Sequence, residues 1–118
     1  MHPPPTPLPA AALHILLAIG PEERHGYGIM REVEHMTGGA TRMGPGTLYT
    51  AIQKLLASGL IEESAERPDP ALDDERRRYY RVTALGRDVV LAETRRLAVL
   101  VERARSQGLA IWACEHLR

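Results

Sequence analysis

The sequence contains no phenylalanine and a single tryptophan, so aromatic side chains contribute little to the interior of this 118-residue chain. A chain of this length buries one modest core, and that core is expected to be aliphatic. Apolar residues make up 44% of the sequence, which is typical of a globular domain and excludes a disordered one. A small aliphatic core of this kind often gains stability when two chains pair.

Cysteine and long hydrophobic runs are also scarce. Cys114 is the only cysteine, which excludes an intrachain disulfide framework and a cysteine-based zinc knuckle. The apolar run around His14 is about ten residues long, too short to span a bilayer. The N-terminus lacks the basic region and cleavage pattern of a secretory signal. The sequence therefore predicts a cytoplasmic protein in a reducing compartment, with no membrane partner.

The chain also has no net charge, because its 15 basic and 15 acidic side chains balance. The charges are distributed unevenly, however. Residues 36–61 contain no acidic side chain but include Arg42 and Lys54, and residues 76–81 contain four arginines and no acid. Affinity for DNA depends on cations placed at phosphates rather than on the total charge. The local clusters therefore favour a nucleic-acid partner.

Glycine, proline and apolar spacing predict three helices in the first half of the chain. The first is expected over residues 8–19 and ends at Gly20-Pro21. The second is expected over about residues 26–36, after a short polar loop. The third starts near Pro45, since proline is tolerated in the first helical turn, and ends at Gly59.

Sequence patterns in the second half of the chain predict a hairpin and one more helix. Strands are expected at residues 60–65 and 76–82, separated by a loop rich in proline and aspartate. Thr83 is a favourable N-cap for a helix that begins at Ala84 and reaches at least Ala104. The expected fold is mainly α with a small β-hairpin, in the element order of a winged helix-turn-helix with an added C-terminal dimerisation helix.

This order divides the chain into three parts. Residues 1–7 form a flexible proline-rich N-terminus, residues 8–83 a winged-helix DNA-binding domain, and residues 84–118 a dimerisation helix with a tail. A winged helix places its third helix in the major groove, where each base pair presents a distinct pattern of donors and acceptors.

Candidate DNA-contact residues lie on the third helix and on the outer face of the second strand. A glycine there lets the backbone approach closely, hydroxyls and Gln53 offer hydrogen bonds, and basic side chains neutralise phosphates. The predicted contacts are Arg42, Gly46, Thr47, Tyr49, Thr50, Gln53, Lys54, Arg77, Tyr79 and Arg81. The alternative is that these are ordinary solvent-facing residues and that the arginines neutralise the acids at residues 73–75.

Three motifs give the chain a family resemblance. They are His25-Gly26-Tyr27-Gly28-Ile29, Gly46-Thr47-Leu48-Tyr49, and Tyr79-Tyr80-Arg81-Val82-Thr83-Ala84-Leu85-Gly86-Arg87. In this order and spacing the chain resembles PadR-type transcriptional regulators, in the short class with a single C-terminal helix. The resemblance covers roughly residues 8–105. The acidic wing tip and the tail after Gly108 depart from the family pattern.

The resemblance implies a homodimeric repressor that binds an inverted-repeat operator in double-stranded DNA. It implies that Thr47 and Tyr49 touch the DNA backbone and that Tyr27 lies near the DNA or in the helix-turn-helix packing. It also places the dimer interface on the last helix. The interface residues expected on this basis are Leu8, Leu13, Val90, Leu97, Val101, Ala104 and Trp112.

Other classes of protein fit the sequence less well. No His-Glu-x-x-His motif or Ser/His/Asp set occurs, so no enzyme, catalytic residue, metal or cofactor is expected. Glu32 and His35 share a helix face and could pair on a metal, but such isolated matches are mostly chance. A winged-helix interaction module without DNA binding is the main alternative, although it would not need an acid-free third helix.

The tail leaves two further alternatives open. Cys114 and His116 could form a redox or metal sensor, whereas a lone thiol more often acts as a small hydrophobe. Trp112 either packs between chains or lines a pocket for a small hydrophobic effector, since some members of the family bind flat aromatic compounds at their dimer interface.

Overall fold

The computed structural model describes residues 7–64 and 78–109. Its elements, in chain order, are α1 (Ala10–Ile19), β1 (Arg24–His25), α2 (Gly26–Met36), α3 (Pro45–Ala57), β2 (Ile61–Glu63), β3 (Tyr79–Val82) and α4 (Ala84–Ser106). The three strands form an antiparallel sheet in the order β1-β3-β2. The proline-rich N-terminus, the wing tip, Arg77, Trp112 and Cys114 lie outside the described residues.

The predicted fold class is confirmed, with one element added. The sequence predicts a loop before the second helix, whereas Arg24 and His25 form a short strand paired with Tyr80 and Tyr79 of β3. A strand of two residues is too short to produce an alternating pattern that could predict it. The small sheet therefore joins the start of α2 directly to the wing, the hairpin formed by β2 and β3.

Helix α1 starts two residues later than expected. Pro9 is its N-cap, with an extended ψ of 145°, and a residue that precedes proline is biased away from helical backbone. Leu8 therefore lies in extended chain ahead of the helix. Its side chain is nevertheless only 7% exposed and belongs to the core.

The core is aliphatic, as the composition predicts. Each of the first three helices contributes two fully buried side chains spaced four residues apart, which places both on one face. These pairs are Ile15 and Ile19, Ile29 and Val33, and Leu48 and Ile52. Leu60, Ile61 and Tyr80 close the core from the sheet. Within the described residues, no helix is long and apolar enough to cross a membrane.

The start of α4 is attached to the turn between α3 and β2. The Thr83 hydroxyl accepts a hydrogen bond from the Gly86 N–H (3.0 Å) and donates to the Gly59 carbonyl (2.6 Å). The Thr83 N–H donates to the Leu60 carbonyl at 3.0 Å. Thr83 therefore caps the helix as predicted, and it also fixes the direction of α4 relative to the end of α3.

Among the acidic side chains that the structure describes, one is buried. Glu93 of α4 is 5% exposed and accepts hydrogen bonds from the Leu8 backbone N–H (3.4 Å) and from Arg96 Nη2 (2.7 Å). The contact with Leu8 holds the segment before α1 against α4. Arg96 donates to the carboxylate and lowers the pKa of Glu93 below its usual value of 4.5.

This lowered pKa predicts a pH-dependent contribution to stability. A carboxyl group whose pKa is depressed by folding stabilises the fold above its unfolded pKa, and the contribution disappears as pH falls through the folded pKa. We expect Glu93→Gln to melt at a lower temperature than the wild type at pH 7. The difference should close as pH falls below 4.5, the ordinary value. Thermal melts monitored by circular dichroism at several pH values measure this gap.

Glu102→Gln is the matched control, because Glu102 is exposed and forms a similar i,i+3 ion pair with Arg105 at 3.3 Å. Surface pairs of this kind contribute little, so its melting temperature should stay close to that of the wild type. An equal loss in both variants, or a gap that persists in acid, would contradict the role assigned to Glu93.

Candidate nucleic-acid interface

Helix α3 separates a buried face from a polar outer face. Leu48, Ile52 and Leu55 are buried, and this fixes the rotation of the helix about its axis. The residues left exposed on the other side are Gly46, Thr47, Thr50, Gln53, Lys54 and Ala57. The predicted contacts on this helix therefore share one accessible surface, with the exception of Tyr49, which is half-buried.

The start of α3 leaves backbone donors available. Gly44 is the N-cap and Pro45 the first helical residue, and within the described residues no side chain caps this end. The first N–H groups of a helix have no partner inside it, and together with the helix dipole they favour an anion. This end of the exposed face can therefore hold a phosphate.

The exposed face of α3 is also free of negative charge. Lys54 extends from its last turn and forms no ion pair with any described residue. No acidic residue occurs between positions 36 and 61. Hydroxyls, one amide and one ammonium group are therefore the polar groups that α3 presents to a partner.

Tyr49 leaves the exposed face to pack on the start of α2. A Cβ placed on Gly26 would collide with the Tyr49 hydroxyl, so only glycine at position 26 lets the tyrosine lie there. Burial is the main cause that raises the pKa of the neighbouring Tyr80, with smaller contributions from Glu63 and from Tyr49. Tyr49 thus connects α3 to the start of α2 along one flank of the exposed face.

The start of α2 carries an aromatic group that reaches the wing. His25 caps the helix, with its Nδ1 accepting the Gly28 N–H at 2.9 Å. Its ring lies 6.4 Å from that of Tyr27 in a stacked arrangement and 5.3 Å from that of Tyr79 in an edge-on arrangement. Tyr27 is 54% exposed. The tyrosines predicted on α2 and β3 therefore border the same surface through His25.

Two of the predicted phosphate contacts have carboxylate partners. Arg42 pairs with Glu34 at 3.3 Å, and Arg81 pairs with Glu62 at 2.7 Å. Position 62 faces position 81 across the wing, so the acid that neutralises Arg81 lies on β2, whereas Glu34 lies on α2. These pairs are exposed and such pairs are weak, so either arginine can exchange its carboxylate for a phosphate at small cost.

The structure adds basic residues that the sequence analysis did not select. Arg24, Arg31 and His35 join His25 and Tyr27 around a pocket of about 650 Å³ at the start of α2. In the sequence, one arginine lies on each side of the glycine–tyrosine motif. This spacing does not by itself predict a shared site, because Arg24 is brought beside α2 by strand β1.

The residues expected at a dimer interface fall into two groups. Leu8 is buried within the chain's own core. The described others are half-buried in the single chain: Leu13, Val90, Leu97, Val101 and Ala104. Other leucines and valines along α4 are exposed, among them Leu91, Val99 and Leu100. Helix α4 thus carries more apolar surface than its own chain covers.

Within residues 7–64 and 78–109, no group of three histidine, cysteine or acidic side chains is arranged to hold a metal ion. Cys114 and His116, one of the pairs that the sequence suggested, lie outside the described residues. Glu32 and His35, which the sequence also suggested as a metal pair, line the pocket at the start of α2 together with two arginines. Two neighbouring cations disfavour a further cation there. The pocket is therefore suited to an anion rather than to a metal.

Comparison with known proteins agrees with this geometry. The family model described as "Transcriptional regulator PadR-like family" matches residues 15–92. Transcriptional regulator Rv3488 of Mycobacterium tuberculosis is 35% identical over 91 residues, which cover 77% of this chain and 78% of that protein.

Solved structures support the same fold. A PadR family transcription regulator from Clostridium difficile R20291 superposes with a TM-score of 0.69 at 20% identity, covering 86% of this chain and 100% of that one. RosR of H. salinarum has a TM-score of 0.65 at 28% identity, covering 88% of this chain and 91% of that one. The resemblance inferred from the motifs is confirmed, as is the expectation that the chain is not an enzyme. The chain belongs to the PadR-like family of transcriptional regulators.

Proposed function

We propose that this regulator is a cytoplasmic repressor that binds an inverted-repeat operator as a homodimer, with α3 in the major groove. The observation that carries the proposal is the exposed, acid-free face of α3, which presents Thr50, Gln53 and Lys54 together. The major groove is wide enough to admit a helix and exposes base edges that an amide can read. Lys54 and the free N–H groups at the start of α3 then serve the phosphates on either side.

Gly46 supports a close approach from outside. A Cβ at this position would meet no atom of the chain within 4 Å, so internal packing does not require the glycine. Glycine inside a helix normally costs about 0.5–1 kcal/mol relative to alanine. A partner that contacts the backbone of the first turn would explain the glycine, because a side chain there would keep the partner away. A base edge or a phosphate is such a partner.

The homodimer is supported by the apolar surface of α4. Leu97 and Val101 are half-buried in one chain, and neither belongs to the hydrophobics packed against its core. A second copy of α4 would cover them. Two helix-turn-helix units in a dimer read half-sites about 34 Å apart, one turn of duplex. A small hydrophobic effector bound at the same interface completes the proposal.

Substitutions on α3 test the DNA-binding surface. We expect Lys54→Ala to weaken binding to all duplexes and to lower the salt dependence of the affinity, since it removes a phosphate contact. Tyr49→Ala is expected to weaken binding across sequences as well. Gln53→Ala should instead relax specificity at one base position per half-site, at a cost of about 1–3 kcal/mol. Fluorescence anisotropy on an operator selected from random DNA, at several salt concentrations, measures each effect.

Arg95→Ala is the control. Arg95 is exposed on α4, and its substitution removes one positive charge, as Lys54→Ala does, but from another helix. It should bind as the wild type does. If Arg95→Ala and Lys54→Ala weakened binding equally, the effect would reflect overall charge and the assignment of α3 would be wrong.

A further inference from the structure

The pocket at the start of α2 contains two arginines that have no carboxylate partner among residues 7–64 and 78–109. Arg24 and Arg31 form no ion pair with any of the described residues, in contrast to Arg42, Arg81 and Arg96. The Nε of Arg24 is buried and has no hydrogen-bond partner there. A buried donor without an acceptor costs free energy. The site therefore provides two positive charges that no described carboxylate neutralises, and an external anion can supply that neutralisation.

The position of Arg24 is built into the fold. Its Cγ lies 3.0 Å from the point that a Cβ on Gly28 would occupy, so its aliphatic stem crosses the first turn of α2 over a glycine. A side chain at position 28 would displace it. The second glycine of the glycine–tyrosine–glycine motif thus leaves room for the stem of Arg24, as the first one leaves room for Tyr49.

Arg31 is held at the same pocket by an aromatic ring. Its guanidinium carbon lies 5.8 Å from the centroid of the Tyr27 ring, a cation–π contact. His25 and His35 add two imidazoles to the lining, and Glu32 adds one carboxylate. The charge of the pocket is therefore positive at neutral pH even when both imidazoles are neutral.

The pocket lies beside α3 and the wing, the two elements proposed to contact DNA. Tyr49 of α3 packs on Gly26, the first residue of α2, and Tyr79 of the wing contacts His25. A helix in the major groove has a phosphate strand along each flank, because the groove is only about 12 Å wide. A cationic pocket on the flank between α3 and the wing is where one of these strands would run.

We propose that Arg24 and Arg31 form a second phosphate-binding site, occupied by a backbone phosphate of the duplex whose major groove receives α3. Tyr27 acts as a positioning residue, since its ring orders Arg31. The inference rests on the proposed function and extends it, because it assigns affinity to the start of α2, apart from the helix that reads bases. Contacts to phosphate fix register and orientation and carry no sequence information.

A duplex of random sequence is the appropriate probe, because phosphate contacts do not depend on bases. The affinity of the full chain for a fluorescein-labelled 26-base-pair random duplex is measured between 50 and 200 mM NaCl for the wild type, Arg24→Gln and Arg31→Gln. Each variant should bind about tenfold more weakly, as expected when one charged hydrogen bond is lost. The slope of log K against log salt should fall in magnitude by about 0.9 per chain.

Two further variants separate this site from α3. Arg95→Gln on α4 removes the same charge from an exposed position and should leave both affinity and slope unchanged. Lys54→Gln should lower both, since it tests α3. If Lys54→Gln weakens binding while Arg24→Gln and Arg31→Gln match the wild type, the second phosphate site is overturned and the function of α3 stands. If the wild type shows no salt-dependent binding at all, both proposals fail.

The role of Tyr27 is tested by keeping or removing its ring. Tyr27→Phe preserves the cation–π contact and should bind as the wild type does, whereas Tyr27→Leu should approach the affinity and salt slope of Arg31→Gln. Equal losses in both variants would show that the hydroxyl matters instead of the ring, and would overturn the positioning role. Thermal melts of all variants confirm that the comparison is made between folded proteins.

Discussion

Gly86→Ala is expected to destabilise the chain by about 3 kcal/mol, at the upper end of the range for an overpacked site. A Cβ on Gly86 would collide with the Leu60 carbonyl and would lie 2.7 Å from Cγ1 of Val82. The carbonyl is backbone and cannot rotate away, so the start of α4 must move from the sheet. The same movement would break the hydrogen bonds of Thr83 that attach α4 to the end of α3. The melting temperature should fall by about 10–15 °C.

Gly46→Ala is the matched control for this prediction. The same substitution is made in the first turn of a helix, but the added methyl group would meet no atom of the chain. Its stability should stay within about 0.5 kcal/mol of the wild type or rise slightly. Similar melting temperatures for Gly86→Ala and the wild type would refute the close contact between α4 and the sheet.

Val101→Asp is expected to convert a dimer into a monomer. Val101 lies on the stripe that includes Leu97 and is half-buried by its own chain. A carboxylate in a surface that a second α4 covers would be buried without a partner, which costs several kcal/mol. The dissociation constant of the dimer should rise by at least about 100-fold, and sedimentation velocity at micromolar concentration should show one slow species.

Val99→Asp provides the control on the same helix. Val99 is 67% exposed and lies two residues away, on the opposite face of α4. The added charge stays in water, so this variant should sediment like the wild type. A wild-type chain that sediments as a monomer, or equal dissociation by both variants, would refute the interface assigned to α4.

Much of the fold is readable from local signals in the sequence. Pro45 and Thr83 mark the starts of α3 and α4 because each satisfies a specific requirement of a helix N-terminus. The i,i+4 apolar pairs fix which face of each helix is buried. Strand β1 is the exception, since two residues carry no periodicity and form a strand only because β3 lies beside them.

The sequence predicts those parts of the candidate site whose residues all lie on one helix or strand. The outer face of α3 follows from the positions of Leu48 and Ile52, so the exposed threonines and Gln53 could be identified in advance. The pairing of Arg81 with Glu62 depends on strand register, which the sequence does not specify locally. The pocket with Arg24 likewise requires the sheet that brings β1 to the start of α2.

The long-range contacts also change how the glycine–tyrosine–glycine motif is understood. From the sequence, its glycines look like helix-start residues. In the structure, Gly26 accommodates Tyr49 of α3 and Gly28 accommodates Arg24 of β1. Both glycines therefore serve side chains of other elements, and this explains why neither position accepts a Cβ without movement of a proposed DNA contact.

The central claim is that two copies of α3 read the major groove of one duplex. Selection of DNA from a random pool by the purified full chain, followed by sequencing, tests it most directly. We expect an enriched inverted repeat whose half-site centres lie about 10 base pairs apart, and loss of preference at one position per half-site with Gln53→Ala. A pool that remains random after repeated rounds, or a motif that Gln53→Ala leaves unchanged at every position, would contradict it.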